Sequence, residues 1–348
     1  MTNEVPVLTT LPEVVKSLLQ KLPSRRMRDV LEKRFGLKGG EKKTLEAIGK
    51  EYKITRERVR QIEADALKLL SKDEHFSVAH SIVSQLQEYI RAHGGVMAEH
   101  HLLKVFPDKK TRAYVEFLMA IGKQFSKVAE TSHHYSRWTV DKNLVGLVEK
   151  VTTEVVQYLD GEKHPVPAEK LRAVVAQKLQ EITKQELKEQ TVDAYLATAK
   201  LIAKNPYGDC GLVSWSEILP RGVRDKAYLV LQKSGAPLHF RAVAEAINKA
   251  GWSNRKAHPQ TVHNELIKDS RFVLVGRGLY ALSEWGYQPG AVKDIIVSVL
   301  KGSSKPLHKD DIVRLVSEKR MVKVPTILLN LNNRSLFKRV EGEKYTLV

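Results

Sequence analysis

The chain has 348 residues, 58 of them Lys or Arg against 40 Asp or Glu, so its formal charge is +18 and its pI is near 9.7. That length holds several small domains, and a chain this basic points to a polyanion, with nucleic acid first and a membrane surface as the competitor. No apolar run approaches the roughly 18 residues of a spanning helix, the start MTNEVPVLTTLPEVV has no basic stretch ahead of an apolar core, and the single cysteine, Cys210, excludes an internal disulfide and a cysteine-rich zinc site. A reduced cytoplasmic protein with no membrane partner is expected.

The first element with a chemical message is TLEAIGKEYKITRERVRQI, residues 44–62. Ile48, Tyr52, Ile54, Val59 and Ile62 have the spacing that locks two short helices together, and Gly49 is small where they would cross. Thr55 is a ready N-cap for the second helix, its hydroxyl placed to accept from a first-turn N–H. That helix turns Val59, Ile62 and Ala66 inward and leaves Arg56, Glu57, Arg60 and Gln61 outside. These side chains can read base edges in a major groove: Arg pairs with guanine, Gln with adenine, and Glu accepts from cytosine.

From Leu22 to Leu70 the chain (LPSRRMRDVLEKRFGL, then TLEAIGKEYKITRERVRQIEADALKLL) resembles region four of the housekeeping type of bacterial RNA polymerase sigma factor. The resemblance implies a helix-turn-helix that binds the upstream promoter hexamer and docks on the polymerase flap. By that resemblance Arg56, Glu57, Arg60 and Gln61 fall at base-reading positions. Arg26, Arg34 and Thr55 fall at positions that hold the DNA backbone, and Leu45 and Glu46 open the supporting helix. Only about 20 residues precede this stretch, and the promoter-melting region of that family is not expected in the chain.

After about residue 75 the sequence repeats a set of signals roughly every 70 residues. Each copy opens with an amphipathic helix: Ile82–Ala92, Val148–Leu159, Val223–Gln232 and Val292–Leu300. A short extended piece follows, carrying Val96, Val166, Leu238 or Leu307, and then a new helix. A third helix is predicted near Thr111–Lys123, Gln190–Ala203, Pro259–Lys268 and Pro325–Asn333. Each copy closes on a hairpin, and in the last three copies glycine sits at the turn, as in FVLVGRGLYAL and FKRVEGEKYTLV. Helix, strand, helix, helix, hairpin is the order of a winged helix. The fold expected is therefore mainly α with small β-hairpin wings: a helix-turn-helix domain (residues 1–74) followed by about four tandem winged helices (75–141, 142–219, 220–287 and 288–348). The second is the least regular, with a long third helix and the loop NPYGDCG. Short linkers suggest domains whose positions are only partly fixed.

The third copy, GAPLHFRAVAEAINKAGW through RFVLVGRGLYALSEWGY, resembles the HARE-type winged helix, a module also found as the folded part of the delta subunit of RNA polymerase. Arg255, Lys256 and Arg277 would supply positive charge at its third helix and wing, as possible DNA contacts.

No catalytic constellation emerges. GLKGG at Gly36–Gly40 lacks the GK[ST] ending of a phosphate loop, Asp310–Asp311 opens a helix where carboxylates serve the dipole, and no serine sits in a strand–turn–helix nucleophile pattern. His100–His101 and His133–His134 read as packing or surface residues. No catalytic residue, metal or cofactor is expected. The partners expected are double-stranded promoter DNA and RNA polymerase core, with an accessory or regulatory role in initiation. The alternative is a delta-like polymerase-associated protein whose DNA affinity is incidental. A nuclease is disfavoured by the absence of an acidic metal cluster. Two signatures separate the first pair: positive charge gathered on third helices and wings for a DNA binder, an exposed apolar strip for a protein binder.

Overall fold

A computed structural model describes residues 10–106, 108–184, 188–252, 255–288 and 290–348. The chain divides into two compact units: residues 1–203 with Cys210–Val213, and Lys204–Asp209 with Ser214–Val348.

The first unit begins with α1 (Leu11–Gln20), α2 (Arg25–Phe35), α3 (Leu45–Tyr52), α4 (Arg56–Leu70) and the short α5 (Asp73–Phe76). Polar caps fix three of these starts. Ser24 accepts from the Arg26 N–H (3.2 Å), Thr44 from Ala47 (3.1 Å) and Thr55 from Arg58 (3.1 Å), each satisfying an N–H that has no partner inside its helix. Val30, Ile48, Val59 and Ile62 form the core between α2, α3 and α4, with Met27, Leu45, Tyr52 and Ile54 at its edge.

The helix–strand–helix–helix–hairpin order then recurs four times. The first copy is α6 (His80–Ala92), β1 (Val96–Ala98), α7 (Glu99–Lys104), α8 (Lys109–Ile121), β2 (Ser126–Val128) and β3 (Arg137–Thr139). The second is α9 (Asn143–Glu162), β4 (Val166–Pro167), α10 (Ala168–Thr183), α11 (Glu189–Leu196), β5 (Ile202–Lys204) and β6 (Asp209–Leu212). In the second unit the third copy is α12 (Val223–Ser234), β7 (Leu238–His239), α13 (Phe240–Ala250), α14 (Pro259–Lys268), β8 (Phe272–Gly276) and β9 (Leu279–Leu282). The fourth is α15 (Val292–Lys301), β10 (Leu307–His308), α16 (Lys309–Lys319), α17 (Val324–Leu331), β11 (Phe337–Val340) and β12 (Lys344–Leu347). Each sheet has three strands, with the last strand of the copy between the short strand and the first arm of the hairpin. Residues such as Leu238 and Leu307 thus pair with Tyr280 and Tyr345, which closes each small core. Gly278, at φ +68° in the third hairpin, meets the His239 ring where a Cβ would stand only 2.6 Å from Nε2; glycine is required there.

The second copy departs from its expected outline. Its third helix is short, ending at Leu196 rather than running to Ala203. Beyond it the backbone is drawn out of the helix by the first copy's hairpin: the Tyr135 N–H donates to the Thr198 carbonyl, and Lys200 N–H to that of His133, at 2.9 and 2.8 Å. The long element is α9, with 20 residues.

Within the first unit, neighbouring domains are packed rather than strung. Helix α8 lies against α1, α2 and α4, with Phe117 meeting Phe35 edge to face at 5.3 Å. Lys42 is ion-paired to Glu116 across the same seam. Helix α11 packs in turn on β1, and its Tyr195 hydroxyl donates to the Gly94 carbonyl at 2.8 Å.

Candidate nucleic-acid interface

The turn between α3 and α4 is built by three backbone features. Lys53 closes α3 in the left-handed region (φ +53°), the Ile54 N–H returns to the Gly49 carbonyl at 3.0 Å, and a Cβ on Gly49 would stand 2.7 Å from the Ile54 oxygen. Gly49 is therefore small because the turn folds back onto it. The clamp sets α4 with Val59, Ile62 and Ala66 inward and Arg56, Glu57, Arg60 and Gln61 in water, as the spacing predicts.

In the free protein Glu57, Arg60 and Gln61 pair with one another or with a near neighbour. The Arg60 guanidinium forks onto the Glu57 carboxylate at 2.9 and 2.6 Å, and Arg58 donates to the Gln61 amide oxygen at 3.1 Å. The Arg60 fork holds the Glu57 carboxyl below its usual range. Exposed pairs three apart on a helix contribute little in water, so a base edge can take over Arg60 or Glu57 at little cost.

The residues carried over as backbone contacts are placed unequally. Arg26 is exposed and lies over the Tyr52 ring at 5.2 Å, which Lys33 also approaches at 4.7 Å; the spacing of basic residues around this tyrosine was not singled out from sequence. Thr55 is exposed with its hydroxyl engaged as a cap. Glu46 is exposed and paired to Lys50 at 2.9 Å, whereas Leu45 flanks the core. Arg34 turns inward: it donates to Glu63 at 3.1 Å and to the Lys43 carbonyl at 2.7 Å, tying α2 to α4 and to the loop before α3. Arg25 and Lys53 add exposed charge.

The four third helices of the winged units are in different surroundings. On α8, Ala113, Tyr114, Val115, Phe117, Leu118, Met119 and Ile121 are buried, so this helix is not open to a groove. On α11, Thr191, Val192, Ala194 and Tyr195 are buried. Helix α14 presents Gln260, Thr261, Asn264, Ile267 and Lys268, with Arg255 and Lys256 exposed just before it and Arg277 exposed at the hairpin turn. Helix α17 presents Val324, Pro325, Leu328 and Leu329. The first signature, charge and amides on a third helix and wing, thus belongs to the third copy, and the second, an apolar strip, to the fourth.

Residues 18–72 match the family model of sigma-70 region 4. Residues 222–285 match the HARE-HTH family model, a helix-turn-helix domain named in part for ASXL and restriction endonucleases. The RNA polymerase sigma factor SigA of Nostoc sp. is 48% identical over 81 residues, 23% of this chain and 19% of that protein. SigA of Lactococcus lactis subsp. cremoris is 46% identical over 69 residues, 20% of this chain and 18% of its own, and RpoD of Neisseria gonorrhoeae 47% over 62, covering 18% and 10%. These matches lie in the region-four segment, and the chain spans at most about a fifth of the relatives' length. Among the described residues no group of His, Cys, Asp and Glu is placed to hold a metal ion, and no helix is long and apolar enough to cross a membrane. His134, one of the paired histidines, is buried at 5% exposure in the packing between the first and second copies.

Proposed function

We propose that this chain binds double-stranded promoter DNA through α4 and acts with RNA polymerase core in transcription initiation, as an accessory or regulatory factor. The observation that carries the reading is the face of α4: Arg56, Glu57, Arg60 and Gln61 stand together in water while the opposite face is locked to α2 and α3. Sequence would be read by these four side chains, each good bidentate contact contributing about 1–3 kcal/mol of discrimination. Arg26, Thr55, Arg25 and Lys53 would hold phosphates, contributing affinity that salt weakens but little sequence information; Arg34 and Glu46 would serve mainly through the ion pairs that orient α2 and α3. The similarity of residues 18–72 to sigma-70 region 4 supports both the DNA and the polymerase parts. The accessory part is supported by the remainder of the chain, where the helix–strand–helix–helix–hairpin order recurs and residues 222–285 are similar to the HARE-HTH family.

The test is binding to a labelled duplex bearing a minus-35-like hexamer against a scrambled duplex, at physiological salt, with and without core polymerase. We expect preference for the hexamer, and we expect Arg56→Ala with Gln61→Ala to abolish it while leaving salt-sensitive nonspecific binding. Equal loss on both duplexes would show that α4 does not read bases.

A second reading, a delta-like protein that associates with polymerase through its winged helices, is favoured by the apolar third helix α17. In the third copy, Arg255, Lys256 and Arg277 beside the polar face of α14 favour DNA instead.

A further inference from the structure

Helix α17 reads VPTILLNL, with only Thr326 and Asn330 polar. Those two sit one turn apart on a single side, where the Asn330 amide donates to the Thr326 carbonyl at 2.7 Å. Ile327 and Leu331 fill the fourth copy's core. At 100° per residue, Val324, Leu328, Pro325 and Leu329 carry the apolar surface from that buried edge around to the opposite side. Val324 is 46% exposed, Leu328 37% and Leu329 70%. A helix apolar nearly all round is ordinarily a buried one. In this chain α8, also apolar on nearly every side, is buried under the helices of its neighbour.

The chain segment that holds α17 carries charge of one sign. From Lys319 to Val340 the sequence holds Lys319, Arg320, Lys323, Arg334, Lys338 and Arg339 and no acidic residue. We infer that α17 is a docking face for an acidic amphipathic helix of a protein partner, its apolar side chains laid on Val324, Leu328 and Leu329 and its carboxylates met by Lys323 and Arg334.

Charge selects among the possible occupants. A second copy of this chain would bring Lys323 and Arg334 against their own equivalents, a like-charge juxtaposition. Duplex DNA satisfies the charge but offers an apolar helix little beyond thymine methyl groups. An anionic membrane satisfies both, yet the strip has no Trp or Phe and spans only eight residues, short of the wide aromatic-anchored face of an interfacial helix. A helix with leucines at i, i+3, i+4 and i+7 and acidic residues between them complements both the strip and its rim. The inference is independent of the DNA-reading role of α4.

The test uses the full chain and a fluorescently labelled amphipathic peptide with leucine at those positions and glutamate elsewhere, against its counterpart with lysine for glutamate. Binding of the glutamate peptide is expected. It should weaken about tenfold or more for the lysine peptide, for Leu328→Ser with Leu329→Asp, and for Lys323→Glu with Arg334→Glu. The positions changed are exposed, so melting should not move; binding of a labelled promoter duplex should also persist, which separates this failure from failure at α4. If the leucine pair disturbs melting, Leu329→Ser alone carries the test. Equal affinity for both peptides overturns the inference. So does a wild-type-like affinity in either double variant, and so does sedimentation with phosphatidylglycerol vesicles, abolished by the same variants, in place of peptide binding.

Discussion

His134 lies in the packing of the first unit, its Nε2 without a hydrogen-bond partner, and burial holds its imidazole below the ordinary value of 6.5, with Arg137 adding in the same direction and Glu149 opposing. His100 and His101 are shifted the same way, again by burial first and then by neighbouring positive charge. An unfolded chain takes up these protons near 6.5 while the folded one resists, so stability is full above that pH and falls as pH drops through it. Carboxylates held below their range, such as Glu57 and Glu51, act in the same sense but only below their ordinary value of 4.5, which keeps the windows apart. The urea midpoint should therefore fall between about pH 7.5 and pH 5.5, and His134→Gln should shrink that fall. An identical pH profile in the variant would assign the effect to other groups. At the same scale, the exposed placement of Arg56, Glu57, Arg60 and Gln61 was legible because helical spacing alone separates them from Val59 and Ile62. The inward turn of Arg34 was not, since its partners Glu63 and the Lys43 carbonyl are brought to it only by folding.

Among the elements, the four repeats were legible because each copy carries its own punctuation: an amphipathic helix, one small apolar strand residue, a second and third helix, and a closing hairpin, with a turn glycine in the last three. What spacing cannot tell is whose core a buried face belongs to. On α8, Tyr114, Val115, Phe117, Leu118, Met119 and Ile121 are buried, and the helix packs α1, α2 and α4, which lie outside its own copy. The available signal was that α8 is apolar on too many sides for one small domain to cover. Phe117 is fully buried with its ring on Phe35. Phe117→Ala should cost about 3–5 kcal/mol, and should lower the melting of the region-four-like domain and the first winged helix together, followed by denaturation with probes placed in each. Loss confined to the winged helix would mean the seam contributes little. The short α11 shows the limit in the other direction. Its sequence continues in helical style to Ala203, and hydrogen bonds from the neighbouring hairpin end it early.

For the molecule as a whole, the charge of +18 and the packing of the first unit act on different properties. Net charge governs the salt dependence and speed of binding to a polyanion and says nothing about fold. Packing decides which pieces can exist alone. The region-four-like helices bury Leu11, Val15, Leu18, Leu31 and Phe35 in a body that α8 completes, since α8 packs directly on α1, α2 and α4. A fragment of residues 1–74 removes α8, bares the Phe35 edge and leaves Lys42 without Glu116. At about 25 cal/mol for each Å² of apolar surface returned to water, baring a helix face costs several kcal/mol, a large fraction of the stability of so small a domain. The fragment 1–74 should therefore melt well below the fragment 1–213, or associate through its bared face, while 1–213 stays monomeric and unfolds as one cooperative step. Differential scanning calorimetry and sedimentation of the two fragments check this. Equal melting temperatures, with 1–74 monomeric, would show that the region-four-like domain stands without its neighbour and that α8 merely rests on it.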